Sequence, residues 1–193
     1  MIKSVENLLK LKTRQELRDW LIVNSGTKKS CWIIISRKPK VDTILYLDAV
    51  EEAICFGWID GIHKRISETE LAQRLSPRIK NGNWTELNKE RVRRLEKLGL
   101  MTDMGRKCLP DMSLNSFKIN AEIEKLLKEY PDTYNNFLTF PDLYKRVRID
   151  TIQSELKYGH PELFKKRLAK FIKYTKVNKI YGAWNDGGRL LNY

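Results

Sequence analysis

Residues 55–61, CFGWIDG, decide how the first half of this chain folds, because the hydrophobic period changes there. Upstream, from Tyr46 to Phe56, Ala49, Ala53 and Phe56 recur on one face with Val50 and Ile54 beside them, so a helix is expected. Asp48, Glu51 and Glu52 are then expected to stay in water. Gly57 supplies the helix stop. Downstream the period is two: Trp58, Asp60, Ile62, Lys64 and Ile66 fall on one side of a strand, and Ile59, His63 and Arg65 on the other. After the polar link at 67–70, Leu71 to Ile79 can return as a second strand, making a β-hairpin; a helix over 68–75 is the alternative. CWIIISRK, residues 31–38, has the β-branched composition of a buried third strand, ended by Pro39.

Helices surround this small antiparallel sheet of about three strands. Residues 13–23 place Leu17, Trp20 and Leu21 along one side, with Thr13 as N-cap and Glu16 at the capping-box spacing. A turn at 80–83 precedes Trp84, and Thr85 can cap a helix through Leu98 that Gly99 ends. Its apolar side is Val92, Leu95 and Leu98, with Arg91, Arg93, Arg94 and Lys97 crowding the remainder. A short helix follows Thr102, and 120–139 holds two helical pieces broken by Pro131. Amphipathic helices are expected at 142–157 and 161–176, and a loop or docked segment at 182–189. The order describes an α+β protein: residues 1–115 form a sheet-and-helix core, and residues 116–193 form a mostly helical region packed on it.

The 193 residues are 41% apolar, enough for one sizeable core or two small ones. No apolar run marks a secretory leader or a membrane span, and Cys31, Cys55 and Cys108 are too few and too scattered for a disulfide framework. A cytoplasmic protein is expected. The net charge of +13 is spread along the chain, with twelve Lys/Arg against six acids in 61–110 and twelve against five in 141–193. An even spread argues against a basic tail, but leaves open nonspecific nucleic-acid binding by the basic helices at 85–98 and 161–176, with Tyr144, Tyr158, Tyr174 and Tyr181 as stacking rings.

Motifs for known chemistries are missing. There is no Walker A loop, G-x-G-x-x-G, H-E-x-x-H or G-x-S-x-G, and two histidines with no C-x2-4-C pair give no zinc signature. No catalytic residue, metal ligand or cofactor is assigned, and whether the protein is an enzyme stays open. Asp60 or Cys55 would need a shifted pKa and a partner to do chemistry. The strongest constellation is Trp58, Asp60, Arg78 and Trp84, with Lys64, Asn88 and Arg91 as companions. In the hairpin Asp60 can lie across from Arg78. That pair beside two indoles is either a tie between strands or the wall of a pocket for a small anionic or aromatic ligand.

Several stretches resemble the "YdeI or OmpD-associated", or bacteriocin-protection, family. They are 51–61 (EEAICFGWIDG), Ser76-Pro77-Arg78, 84–91 (WTELNKER) and 98–102 (LGLMT), joined by 140–148 (FPDLYKRVR) and 164–171 (FKKRLAKF). Ile54, Thr85 and Leu100 depart from the family's commoner residues. The resemblance implies a bacterial cytoplasmic protein of one or two closely packed parts. It implies no reaction, cofactor or catalytic set, and its motifs overlap Trp58, Asp60, Arg78, Trp84 and Asn88.

Overall fold

A computed structural model describes residues 5–80 and 82–193. The first residues read for a leader, 1–4, and Asn81 of the expected turn lie outside the described residues. The chain divides into two compact units. One takes in the chain to Asn83 together with Val92–Pro110, and the other comprises Trp84–Arg91 and Asp111–Tyr193.

The first unit is built on β1 (Leu8–Leu9), α1 (Arg14–Asn24), β2 (Cys31–Ser36), β3 (Ile44–Leu45), α2 (Tyr46–Cys55), β4 (Trp58–Arg65) and β5 (Leu71–Pro77). It also holds the later turns of α3 (Glu86–Lys97) and the short α4 (Asp103–Arg106). Thr13 caps α1 as its spacing requires, its hydroxyl accepting the Glu16 N–H at 3.1 Å. The β4–β5 hairpin forms, which removes the helical alternative for 68–75, and β5 lies antiparallel to β2 with Ile33 opposite Gln73.

Among the described residues the sheet has five strands, not three, in the order β1-β2-β5-β4 with β3 also on β2. The two additions are two-residue strands running parallel to β2, so the sheet is mixed. Leu17, Leu21, Ile33, Ile35, Ala53, Ile54, Leu75, Val92 and Leu95 are buried in this unit. Each large aliphatic among them contributes about 1.5–3 kcal/mol by leaving water.

The second unit is helical: α5 (Ala121–Lys128), α6 (Pro131–Thr139), α7 (Asp142–Lys157) and α8 (Pro161–Lys176), with the early turns of α3. Pro131 and Pro161 each open a helix, where a missing N–H costs nothing. Ile123, Leu127, Phe137, Tyr144, Ile152, Phe164, Leu168 and Phe171 form the core of this unit. These helices match the expected ones closely.

Candidate functional site

CFGWIDG is a junction whose groups are used up locally. Cys55 ends α2, and its carbonyl accepts both the Thr102 N–H at 3.2 Å and the Thr102 hydroxyl at 2.6 Å. Gly57 turns the chain with φ of 72°, and a Cβ there would also stand 2.8 Å from Cys108 Sγ. Both facts demand glycine. Trp58 is buried, its indole N–H donating to the Ser25 carbonyl at 3.1 Å, with Trp20 edge-on at 5.8 Å between ring centroids. Asp60 accepts the Tyr46 hydroxyl at 2.7 Å.

The expected Asp60–Arg78 pair does not form. Between Asp60 and His63 the register shifts by one, so Gly61 and Ile62 together face Arg74, and Asp60 stands opposite Leu75. A one-residue slip sends side chains to the other face of a sheet, and here it takes Arg78 away from Asp60. The Arg78 backbone N–H instead meets the Gly57 carbonyl at 2.9 Å, and its guanidinium donates to the Asn83 carbonyl at 3.4 Å. Buried Gln73 stabilises the bulge, its side-chain amide donating to the carbonyls of Gly61 at 2.8 Å and Ile62 at 3.2 Å. Lys64 lies 5.2 Å over the ring of Trp32.

Trp84, Asn88 and Arg91 belong to the second unit. Arg91 there clasps buried Asp186 with two bonds of 2.6 and 2.9 Å, and also donates to half-buried Asn88 Oδ1 at 2.7 Å. Trp58, Asp60, Lys64 and Arg78 in the first unit, and Asn88 and Arg91 in the second, are thus each engaged by neighbours within their own unit.

A second feature departs from what residue type alone suggests. Glu51 and Glu52, expected in water, are each 1% exposed. Arg14 bridges them at 2.7 and 2.6 Å, Arg18 takes the other oxygen of Glu52 at 2.8 Å, and Arg94 the other oxygen of Glu51 at 2.8 Å. Arg18 also donates to the Leu100 carbonyl at 2.8 Å. Burial works to lower the pKa of Arg14, but Glu52 and then Glu51 outweigh it and the net shift is upward. Adjacent Cys55 is fully buried. Burial first and Glu52 second push its thiol up to about 12, so it is protonated at neutral pH. The signal was present: two consecutive acids within AVEEAICF leave α2 no polar side wide enough to expose both, and Arg14 and Arg18 stand four apart on the preceding helix.

A well-enclosed concavity lies where α1 runs out into β2. It has a volume of about 380 Å³ and is lined by Asn7, Trp20, Asn24, Lys28, Lys29 and Ser30, among others. Two local decisions open it. Asn7 adopts φ of 57°, one of the few side chains that tolerate this, and its carbonyl accepts the Trp32 N–H at 3.1 Å, fixing the approach of β1. Asn24 then ends α1, its side chain donating to the Trp20 carbonyl at 2.8 Å and its own carbonyl accepting the N–H groups of Thr27 and Lys28. Among the described residues no carboxylate pairs with Lys28 or Lys29. The cleft offers an indole wall with two cations and amide and hydroxyl groups around it. A groove of the second unit, bounded by Leu126, Tyr130, Ile172 and Lys176, is more open and more apolar, with Lys176 already 4.1 Å over the Tyr130 ring. Among the described residues no three His, Cys, Asp or Glu side chains converge as metal ligands, and no helix is long and apolar enough to cross a membrane.

Fold and cleft together define an α+β unit joined in sequence to a helical one, the first carrying a small polar cleft. Residues 9–108 match the family model described as Domain of unknown function (DUF8412), over more than half the chain, and the protein belongs to that family. Residues 116–178 match the family described as Bacteriocin-protection, YdeI or OmpD-Associated, which is the resemblance carried by 140–148 and 164–171. CFGWIDG itself falls within the first match. No curated protein and no solved structure gives a match.

Proposed function

We propose that the protein is a binding protein whose first unit takes a small anionic molecule bearing a planar ring in the cleft beside Trp20. The observation that carries this reading is an indole in a cleft of about 380 Å³ with two lysines with which, among the described residues, no carboxylate pairs. The volume falls within the range of small-ligand sites, and a ring on Trp20 with its anion toward Lys28 and Lys29 uses each group for what it does well. Trp58, buried behind Trp20, fixes the angle of that wall. The reading extends to a cytoplasmic stress or bacteriocin-protection role. Three free cysteines support the location and the family's name the role.

Titration with aromatic carboxylates such as benzoate and indole-3-acetate, read by tryptophan fluorescence and thermal midpoint, tests it. A saturable response is expected, lost in Trp20→Ala and weakened in a Lys28→Gln, Lys29→Gln double variant. Ligand at one hundred times its Kd would add about 2.7 kcal/mol to stability. No response from any of these compounds, or a response unaltered by the variants, would overturn the reading.

A further inference from the structure

Arg148 is held closely although, among the described residues, no carboxylate pairs with it. On α7 its guanidinium lies 5.0 Å from the ring centroid of Tyr181 and 5.9 Å from that of Tyr144. It donates to the Ala183 carbonyl at 2.6 Å. Gly182 sits against it with φ of 72°, and a Cβ there would come within 3.1–3.3 Å of the guanidinium atoms. A ring, a carbonyl and a glycine fix its position without neutralising it. Its neighbours are treated differently: Arg146 pairs with Glu90 at 2.8 Å, and Arg167 with Glu155 at 2.7 Å.

Lys170 on α8 completes the arrangement. Its ammonium also lies 5.0 Å from the Tyr181 centroid and 5.8 Å from that of Tyr174, again with no carboxylate. Two like charges gathered around one ring repel each other. The ring's quadrupole offsets part of this, and a bound anion would offset the rest. Because Tyr181 already engages both cations, it orients them instead of offering a free face to a base. Lys166 and Lys173 stand four residues before and three after Lys170, on the same exposed side of α8, and continue the line of charge.

We infer that the seam between α7 and α8 at Tyr181 binds phosphate, either of a nucleotide or of a single-stranded nucleic-acid backbone, with Arg148 and Lys170 as its two positive contacts. The guanidinium and the ammonium supply two positioned positive charges for phosphate oxygens. The lysine line favours the nucleic-acid source, since it provides for successive phosphates.

The test uses the full chain, a labelled single-stranded oligothymidine followed by anisotropy across salt, and pyrophosphate both as competitor and in direct calorimetric titration. Binding at low salt is expected, with Lys170→Gln and Arg148→Gln each weakening it severalfold and reducing the log–log salt slope by about 0.7, the value for one phosphate contact on a single strand. Lys170 is exposed, so its variant reports on binding even if Arg148→Gln folds poorly. Lys165→Gln, which removes a lysine paired with Glu162 at 3.1 Å, is the control and should change little. Oligothymidine binding far more tightly than pyrophosphate would identify the backbone as the source, and comparable binding would identify a small phosphorylated molecule. The inference falls if neither probe binds at low salt, if Lys170→Gln leaves affinity and slope unchanged, or if Lys165→Gln loses as much as Lys170→Gln. The Trp20 cleft is untouched by these variants, so the two readings fail separately.

Discussion

A cluster of arginines in the first unit and a single arginine of the second are treated in opposite ways. In the first, Arg14, Arg18 and Arg94 meet Glu51 and Glu52 oxygen by oxygen, a closed arrangement in which the carboxylates are lost to water. In the second, Arg148 is fixed with equal care by rings and a carbonyl, and its charge is left over. A cation matched by buried carboxylates is architecture, because its removal strands the partner. A cation oriented but unmatched strands no carboxylate when it is lost, and its charge stays available to a ligand.

The largest effect should come from breaking the closed arrangement. Glu52→Ala leaves Arg14 and Arg18 facing an apolar gap, and a loss of about 3 kcal/mol is expected in urea unfolding. That is the low end for a broken buried pair, because both guanidiniums keep some contact with water. A loss below about 1 kcal/mol, the level of an exposed pair, would erase the contrast between the units. Next comes Arg91→Ala in the second unit, which strands buried Asp186. About 2 kcal/mol is expected from losing charge-assisted hydrogen bonds, together with faster proteolysis near residues 185–190. Lys170→Gln, by contrast, should shift the urea midpoint by no more than about 0.5 kcal/mol, as at an ordinary surface position. A large loss there would make Lys170 structural and sharpen the comparison against a ligand role.

The smallest effect concerns Asp150, which accepts the Glu86 N–H at 3.0 Å. Burial raises its pKa against the pull of that hydrogen bond. A carboxyl whose folded pKa exceeds its unfolded value, about 3.9, contributes fully only below that pH and loses its contribution as pH rises through the folded value. Asp150→Asn should therefore be slightly more stable than the native chain at pH 7, with the difference vanishing below about pH 4. Thermal midpoints across pH 3–8 check it, and a gain that persisted in acid would contradict the sign.

Much of the fold was legible in the sequence. Thr13 with Glu16, Gly57, Pro131 and Pro161 punctuate helices through local chemistry, and the apolar period between them needs no tertiary knowledge. Pairing was harder to read. β1 and β3 are two residues each, too short to show a period, and exist because β2 offers them an edge. The Asp60–Arg78 pair failed through one extra residue on β4, for which Gly61 was the available hint. Glu51 and Glu52 were assigned to water by residue type alone, though their flanks were apolar. The cleft at Trp20 and the seam at Arg148 gather residues that no local spacing connects.

The clasp of Arg91 on Asp186 also orders events in time. The two residues are 95 positions apart, so during synthesis α3 emerges long before its anchor exists. At roughly 5–20 residues per second the wait is on the order of 5–20 s. Throughout that interval Arg91 must remain hydrated and the early turns of α3 can only be provisionally placed. Slow translation of the intervening helices would lengthen the exposure. The second unit thus depends on a late arrival, and a nascent chain stalled before residue 186 is the form in which chaperones would meet it.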